Sequence, residues 1–453
     1  MLPLRASDDL GDIADGLSEE IVDRLSVTRA LRVRPLASVR ASNHADDDPR
    51  ELGAALGVDV VVAGSIRRVG DVLRIAARAI GVADGLQLWA NRVDTKPEGL
   101  LAAGDDVARA VAHALTVEID MPARIAVADP RVAKLYLEGK ARVRRGWPEG
   151  TMENAIATLE AARRLAPDDA PVLAAIAMAH ARSAFFNTGG SLSRARTFAE
   201  RAVAIAPAIG EPWPALGIAT LYGSSVADSA FALSRAVARA PGLGTAHSLL
   251  GALLLEAGAV DEALVHLDAA IAIERSPNAL WDAARAHMYR GRDAKAFALL
   301  AEIPITDAMC RVNIEKTIAR FHMWRGERYD ASLQDPIPPY FRDYIAVAFE
   351  AHRNGTLDAV GAHVMQQMSD VPNPRLRAAR SQFAAELLAF VGDHNAALAL
   401  VERSVDAGLQ DHLWMERCPA LAPLRTQPRF RELAVIVARR ADSVLASVAK
   451  STQ

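Results

Sequence analysis

Residues 249–273, LLGALLLEAGAVDEALVHLDAAIAI, decide how most of this chain folds, because their pattern recurs. Ala162, Ala202, Ala236 and Ala270 share one context near the end of an apolar-periodic helix, at spacings of 40, 34 and 34 residues. Pro167, Pro207 and Pro241 each follow five residues later, where a proline ends a helix. Leu216-Gly217 recurs as Leu250-Gly251, and Trp213, His247 and Trp281 lie 34 apart. A period of this length means paired antiparallel helices that stack on their neighbours. Ala and Gly then sit where helices cross closely, and Trp and Leu fill the layer between.

Residues 1–122 follow a different period. LRVRPLASV (31–39) alternates apolar and basic residues and predicts a half-buried strand. DDPRELGAALG (47–57) places Asp48 at an N-cap, Pro49 at the first helical position and Glu51 two residues on, with Gly57 to end a short helix. VDVVVAGSIRRVGDVLRIAARAI (58–80) gives two strands joined through Val69-Gly70-Asp71, a hairpin, and LQLWANRVD (86–94) adds a third after the Asp84-Gly85 turn. A helix near Asp15 and another from Pro97 to about Thr116 complete the region. Met1–Leu4 reads as the remnant of a strand, which suggests a reading frame whose true start lies upstream. The expected fold class is α+β multidomain: a small α/β sandwich over 1–122, helical repeats over 130–302, and degenerate repeats with a C-terminal cap over 303–440. The boundary is expected in IDMPARIAVADPR (119–131), with a second protease-sensitive stretch at 186–191.

The repeat matches the tetratricopeptide pattern W-x2-L-G-x2-Y…A-x3-F…A…P. WPALG (213–217) with Ala236 and Pro241 is one copy, residues 249–273 another, and WDAARAHMYRGRDAKAFALL (281–300) a third. ADGLSEEIVDRLS, ELGAALGVDVVVAGSIRR, VLRIAARAIGVADGLQLWANRVD and VARAVAHALTVEI, in that order, resemble a TolB-like amino-terminal domain. That resemblance implies a bacterial regulatory region placed between an upstream effector and downstream repeats. The effector would be a serine/threonine protein kinase, a nucleotide cyclase or a winged-helix domain, and SVTRALRVRPL is most similar to the kinase-linked versions.

Composition narrows the classes. Residues 1–122 hold 14 Lys+Arg against 20 Asp+Glu, and the remainder 38 against 35, so neither part carries the basic excess of a nucleic-acid binder. Only Cys310 and Cys418 are present, which excludes a disulfide framework and fits a cytoplasmic location. The longest apolar runs, such as LLGALLL, are far short of a membrane span.

No kinase signature, Walker A sequence, H-E-x-x-H or G-x-S-x-G is present, so no catalytic residue, cofactor or metal ligand is expected. GLGTAH (242–247) lies between two repeat helices and reads as a turn. The acidic run Asp8, Asp9, Asp12, Asp15, Glu19, Glu20 and Asp23 lacks calcium-loop spacing and reads as a solvated loop and helix cap. Arg32, Arg34, Arg74 and Arg78 read as the wet face of one sheet. Carrying the 34-residue register onto the first helix of each pair puts Met178, Arg182, Ile218, Leu221, Tyr222, Leu255, Glu256, Tyr289 and Arg290 on a groove. Of these, Arg182, Tyr222, Glu256, Tyr289 and Arg290 are the candidate contacts for a protein partner or peptide. Ala175, Ala215, Leu249 and Ala283 stand where a carboxylate-clamp repeat needs Asn, so a chaperone-tail clamp is not expected.

Overall fold

The computed structural model describes residues 1–28, 30–41, 48–115, 129–145, 151–185, 189–223, 225–303, 305, 308–330 and 339–451. Most of the boundary expected at 119–131, and residues 186–188 of the second stretch, lie outside these. The chain forms two compact units. The first contains Met1–Ala219, Ala232–Ala246 and Ala272–Glu274; the second contains Thr220–Phe231, His247–Ile271 and Arg275–Gln453.

The first unit opens with residues 2–5 lying parallel to β1 (Val60–Val69): Leu2 N–H donates to Val62 O (2.7 Å), Arg5 N–H to Gly64 O (3.0 Å), and Ile66 N–H to Arg5 O (2.9 Å). Helix α1 (Gly11–Leu25) follows, earlier than the expected start near Asp15, then α2 (Leu36–Ala41) and α3 (Pro49–Leu56). β1, β2 (Val72–Gly81) and β3 (Gln87–Thr95) form an antiparallel meander. The β1–β2 hairpin turns at Gly70 (φ 63°), as its sequence predicts. Asp48 caps α3 by accepting from Arg50 N–H (2.9 Å), and Gly57 ends it in the left-handed region (φ 61°). α4 (Leu100–Ala114) packs back on β2, β3 and α1.

The strand expected at 31–39 does not form: residues 31–35 join no sheet among the described residues, and 36–41 are helical. Pro35 has no N–H for a ladder and is suited to a helix start. Arg34 points its guanidinium at the closing carbonyls of two helices, Leu56 O (3.1 Å) and Ala272 O (3.1 Å), rather than at a sheet face. Of the four arginines assigned to one wet face, only Arg74 and Arg78 are in the sheet, and Arg74 forks onto Asp94 of β3 (2.6 and 2.7 Å).

Helix pairs follow: α5 (Pro130–Arg145) with α6 (Thr151–Leu165), α7 (Ala170–Phe185) with α8 (Leu192–Ile205), α9 (Pro212–Tyr222) then α10 (Val226–Arg239), and α11 (Gly244–Glu256) then α12 (Val260–Ile273). Glycine sets their closeness. A Cβ added at Gly139 would lie 2.4 Å from Leu159, at Gly217 2.7 Å from Leu233, and at Gly251 2.8 Å from Leu267. Ala162, Ala202, Ala236 and Ala270 are buried in these layers, where the repeat places them. One core joins the sheet to the first two pairs: Leu17 and Ile21 of α1, Ile75 of β2, Leu137 of α5, Leu159 of α6 and Ile176 of α7 belong to it.

The second unit continues with α13 (Pro277–Tyr289), α14 (Asp293–Ala301), α15 (Ala308–Trp324), α16 (Pro339–Asn354), α17 (Ala359–Gln367), α18 (Pro374–Phe390), α19 (His394–Asp406), α20 (His412–Arg417) and α21 (Pro428–Ser451). Its core encloses Glu386, whose carboxylate accepts from Arg320 Nε (2.7 Å), Trp324 Nε1 (2.9 Å) and Trp414 Nε1 (2.5 Å). A fully buried carboxylate is tolerated only when its lone pairs are filled in this way.

The crossing of α1 and α5 admits no side chain at Gly16, where a Cβ would meet Leu137 O at 2.4 Å. Gly16→Val should therefore destabilise the first unit by about 1–3 kcal/mol. Gly11→Ala, at a helix position open for 4 Å around, should be close to neutral. Urea denaturation monitored by far-UV circular dichroism distinguishes them, and equal midpoints for the two variants would refute a tight crossing.

Candidate functional site

A cavity of about 370 Å³ opens within the first unit. One wall comes from first helices of the repeats: Tyr136, Lys140 and Val143 of α5, Ala175, Met178 and Arg182 of α7, Pro214 and Ile218 of α9, and Thr245 of α11. The facing wall comes from α1 and the segment after it, with Glu19, Asp23, Ser26, Pro35 and Arg40. Gly242 closes one end: its N–H donates to Ser26 O (2.8 Å), and a Cβ there would fall 2.6 Å from the same oxygen. The glycines of GLGTAH thus serve a turn between α10 and α11 that docks on the end of α1.

The wall charges are mostly paired. Lys140 Nζ lies 2.6 Å from Glu20 Oε2, 2.9 Å from Asp23 Oδ2 and 3.7 Å from Glu211 Oε1, and Tyr136 donates to Glu20 (3.0 Å). Burial works against the Lys140 ammonium, but Asp23 and Glu20 overcome it and hold its pKa well above the ordinary value. Arg24 meets Asp105 of α4 (2.9 Å), and Arg40 bridges Asp15 (3.1 Å) and Glu19 (3.2 Å). Asp8 and Asp9 are exposed, as a solvated cap requires, but the later part of the acidic run corrects that reading: Glu19 and Glu20 are buried, and Asp12 reaches Arg142 of α5 (3.2 Å). The carboxylates recur at the three- and four-residue steps of one helix, a buried stripe once a basic helix packs on it. Lys140 was missed because a lone lysine beside Tyr136 and Leu137 looks like an exposed helix position.

Of the five candidate contacts, only Arg182 lines this cavity, donating from Nη1 to Val143 O (2.9 Å) beside Met178 and Ile218. The other four lie in the second unit. Glu256 accepts from Arg375 (2.7 Å) and from Gln410 (3.0 Å), and the Tyr222 carbonyl accepts from Asn373 (3.2 Å), the N-cap of α18. Arg290 pairs with Asp261. Tyr289 stacks on Trp324 (centroids 4.9 Å apart) and lines a second cavity of about 410 Å³ with Asp293, Arg325 and Arg417. Next to Glu256 lies a further network. Arg285 stands where the repeat would place the glycine after Gly251, and it meets Asp411 (3.0 Å) and Asp282 (3.4 Å). No cavity-lining side chain of the first unit is His or Cys, and among the described residues no group of three His, Cys, Asp or Glu could hold a metal. Among them, too, no helix is long and apolar enough to cross a membrane.

No family model matches the chain. A 109-residue stretch is 37% identical to the putative adenylate cyclase 3 of Rhizobium meliloti (strain 1021); the match covers 24% of this chain and 19% of that protein. Among solved structures, TTC0263, a thermophilic TPR protein of Thermus thermophilus, aligns over 41% of this chain and 98% of its own, at 20% identity and TM-score 0.35. YrrB, a TPR protein with an unusual peptide-binding site, covers 42% and 92% at 20% identity and TM-score 0.30. The human IFIT1 dimer with m7Gppp-AAAA covers 77% and 76% at 12% identity and TM-score 0.38. At such scores the repeat assignment stands on this chain's own period and helix pairs.

Lys140→Met would remove the nearest cation of the buried Glu20 carboxylate, leaving Arg24 at 3.8 Å, and should destabilise the first unit by about 3 kcal/mol. Pairing it with Glu20→Gln should recover part of the loss in denaturant unfolding. An additive pair would contradict a direct buried interaction. In the second unit, burial lifts the Asp282 carboxyl from 3.8 to about 6, aided by Glu256 and Asp411 against Arg285. The folded form then holds a proton that the unfolded form has lost, so this contribution is full below about pH 4 and lost as pH rises through about 6. Asp282→Asn should flatten the fall of stability between pH 4 and 6; an unchanged slope would refute the assignment.

Proposed function

We propose that the chain is a non-catalytic regulatory and protein-interaction module. The first helices of its repeats hold a segment of a protein partner in the first unit's cavity, while the α/β part docks to an effector or senses a ligand. The supporting observation is the construction of that cavity. Four successive first helices face α1 and α2 across it, and its lining offers hydrogen-bonding and apolar surface without a nucleophile–base pair. A partner seated there would touch both kinds of structure at once, which is how a repeat could report occupancy to the sheet and helices of residues 1–115.

A second reading places this module in a larger signalling polypeptide, as the TolB-like resemblance implies, in the cytoplasm and next to a catalytic effector. Among kinase, cyclase and winged-helix effectors, the stretch 37% identical to a putative adenylate cyclase favours the cyclase. In that reading the chain regulates the effector and contributes no catalytic group.

The test has two arms. Purified chain with ATP and Mg²⁺ should neither transfer phosphate nor form cyclic AMP. Peptides selected from a display library against the full chain should lose binding to Ala175→Trp, which fills the cavity from the α7 wall, and keep it with Val265→Ser on the exposed face of α12. ATP turnover that survives repurification, or selected peptides indifferent to Ala175→Trp, would overturn the reading.

A further inference from the structure

We infer that Arg239 anchors the ligand of the first unit's cavity and selects a partner segment that presents a single acidic side chain, Asp or Glu. The inference rests on the reading of the cavity as a peptide site. Arg239 is the last residue of α10 and lines the cavity half-buried. Its Nε donates to Pro207 O (2.6 Å), and its guanidinium lies 5.0 Å from the Trp213 ring centre. Trp213 Nε1 donates to the same carbonyl (3.0 Å), so one oxygen holds the guanidinium over the indole. Its two Nη groups remain, and no carboxylate acts on the guanidinium.

Three other cations of the wall stand in contrast. Lys140 has Glu20 and Asp23, Arg24 has Asp105, Arg40 has Asp15 and Glu19. For Arg239, burial and the neighbouring Arg235 both act against the charged form, and no acid compensates. A half-buried guanidinium stacked on tryptophan and lacking its anion is a preformed fork for a carboxylate, which takes two parallel N–H bonds.

The charges around it select a monoanion. Glu19, Asp23, Glu211 and Glu274 also line the cavity, and a phosphate would bring about two negative charges among them. A lone carboxylate matches one guanidinium and adds no excess. The wall also draws on four first helices spaced at roughly 9 Å, a length suited to an extended chain rather than a small anion. Residues flanking the acid are then free to be neutral or basic opposite those carboxylates.

The experiment uses the full chain and the peptides selected against it. Each peptide Asp or Glu is changed to Asn or Gln, and affinity is measured by fluorescence anisotropy on the unmodified chain, on Arg239→Gln and on Arg239→Lys, each checked for an unchanged thermal midpoint. The expected result is one acidic position whose neutralisation weakens binding to the unmodified chain about tenfold or more. The same change should have no effect on Arg239→Gln and an intermediate effect on Arg239→Lys, which keeps the charge without the fork. Should Arg239→Gln fail to fold, the Lys variant carries the comparison. Peptides that need an open cavity, shown by loss on Ala175→Trp, but whose acids do not couple to residue 239 would overturn this inference and leave the peptide site standing. Selected peptides unaffected by Ala175→Trp would overturn both.

Discussion

The crossing of α1 over α5 is the constraint from which the first unit is built. Gly16 lets α1 lie against the backbone at Leu137, and α4 crosses the same helix at Gly104, where a Cβ would meet Leu17 at 2.8 Å. Between these contacts α1 buries Glu20 on Lys140 and Arg24 on Asp105. Such buried pairs add little net stability over apolar replacements, but a wrong register leaves charges stranded at a cost of several kcal/mol. They therefore fix how the helix is rotated. That rotation turns Glu19 and Asp23 toward the cavity and Ile13, Leu17 and Ile21 into the core.

The second unit applies the same chemistry to a different end. Its buried charges hold the chain to itself: Glu386 gathers Arg320 and two indoles, and Glu256 gathers Arg375 and Gln410. The surface that the repeat register assigns to a partner is met there by the start of α18 and the segment before α20. Arg285, in place of a glycine, reaches Asp411 instead of allowing a close helix crossing. A first-helix residue is thus open to a ligand only where no later helix has taken it up.

That distinction explains what the sequence could and could not tell. The 34-residue spacing of Ala202, Ala236 and Ala270 and the glycines at 217 and 251 were legible because each repeat meets only its neighbours, so local pattern carries the packing. The hairpin at Gly70 and the cap at Asp48 were legible because turn chemistry is local. Residues 31–39 misled because alternation was read without giving Pro35 its weight. The site was largely hidden. Lys140 and Glu20 are 120 residues apart, Arg285 and Asp411 are 126 apart, and the imidazole contact of His247 with His266 (3.0 Å) spans two helices. Pairings at such separations leave no trace in spacing; they follow only from which helix comes to rest on which.

One shared core and the buried Lys140–Glu20 pair make α1 and the first repeat pair one cooperative structure, with the cavity held between them. Native-state hydrogen exchange across a denaturant series measures this directly. The amides of Ile13–Val22 and those of Val132–Ala141 should open with the same free energy and the same denaturant dependence, as one unit. Exchange of α1 together with the β1–β3 sheet at a distinctly lower free energy, while α5 stays protected, would contradict it.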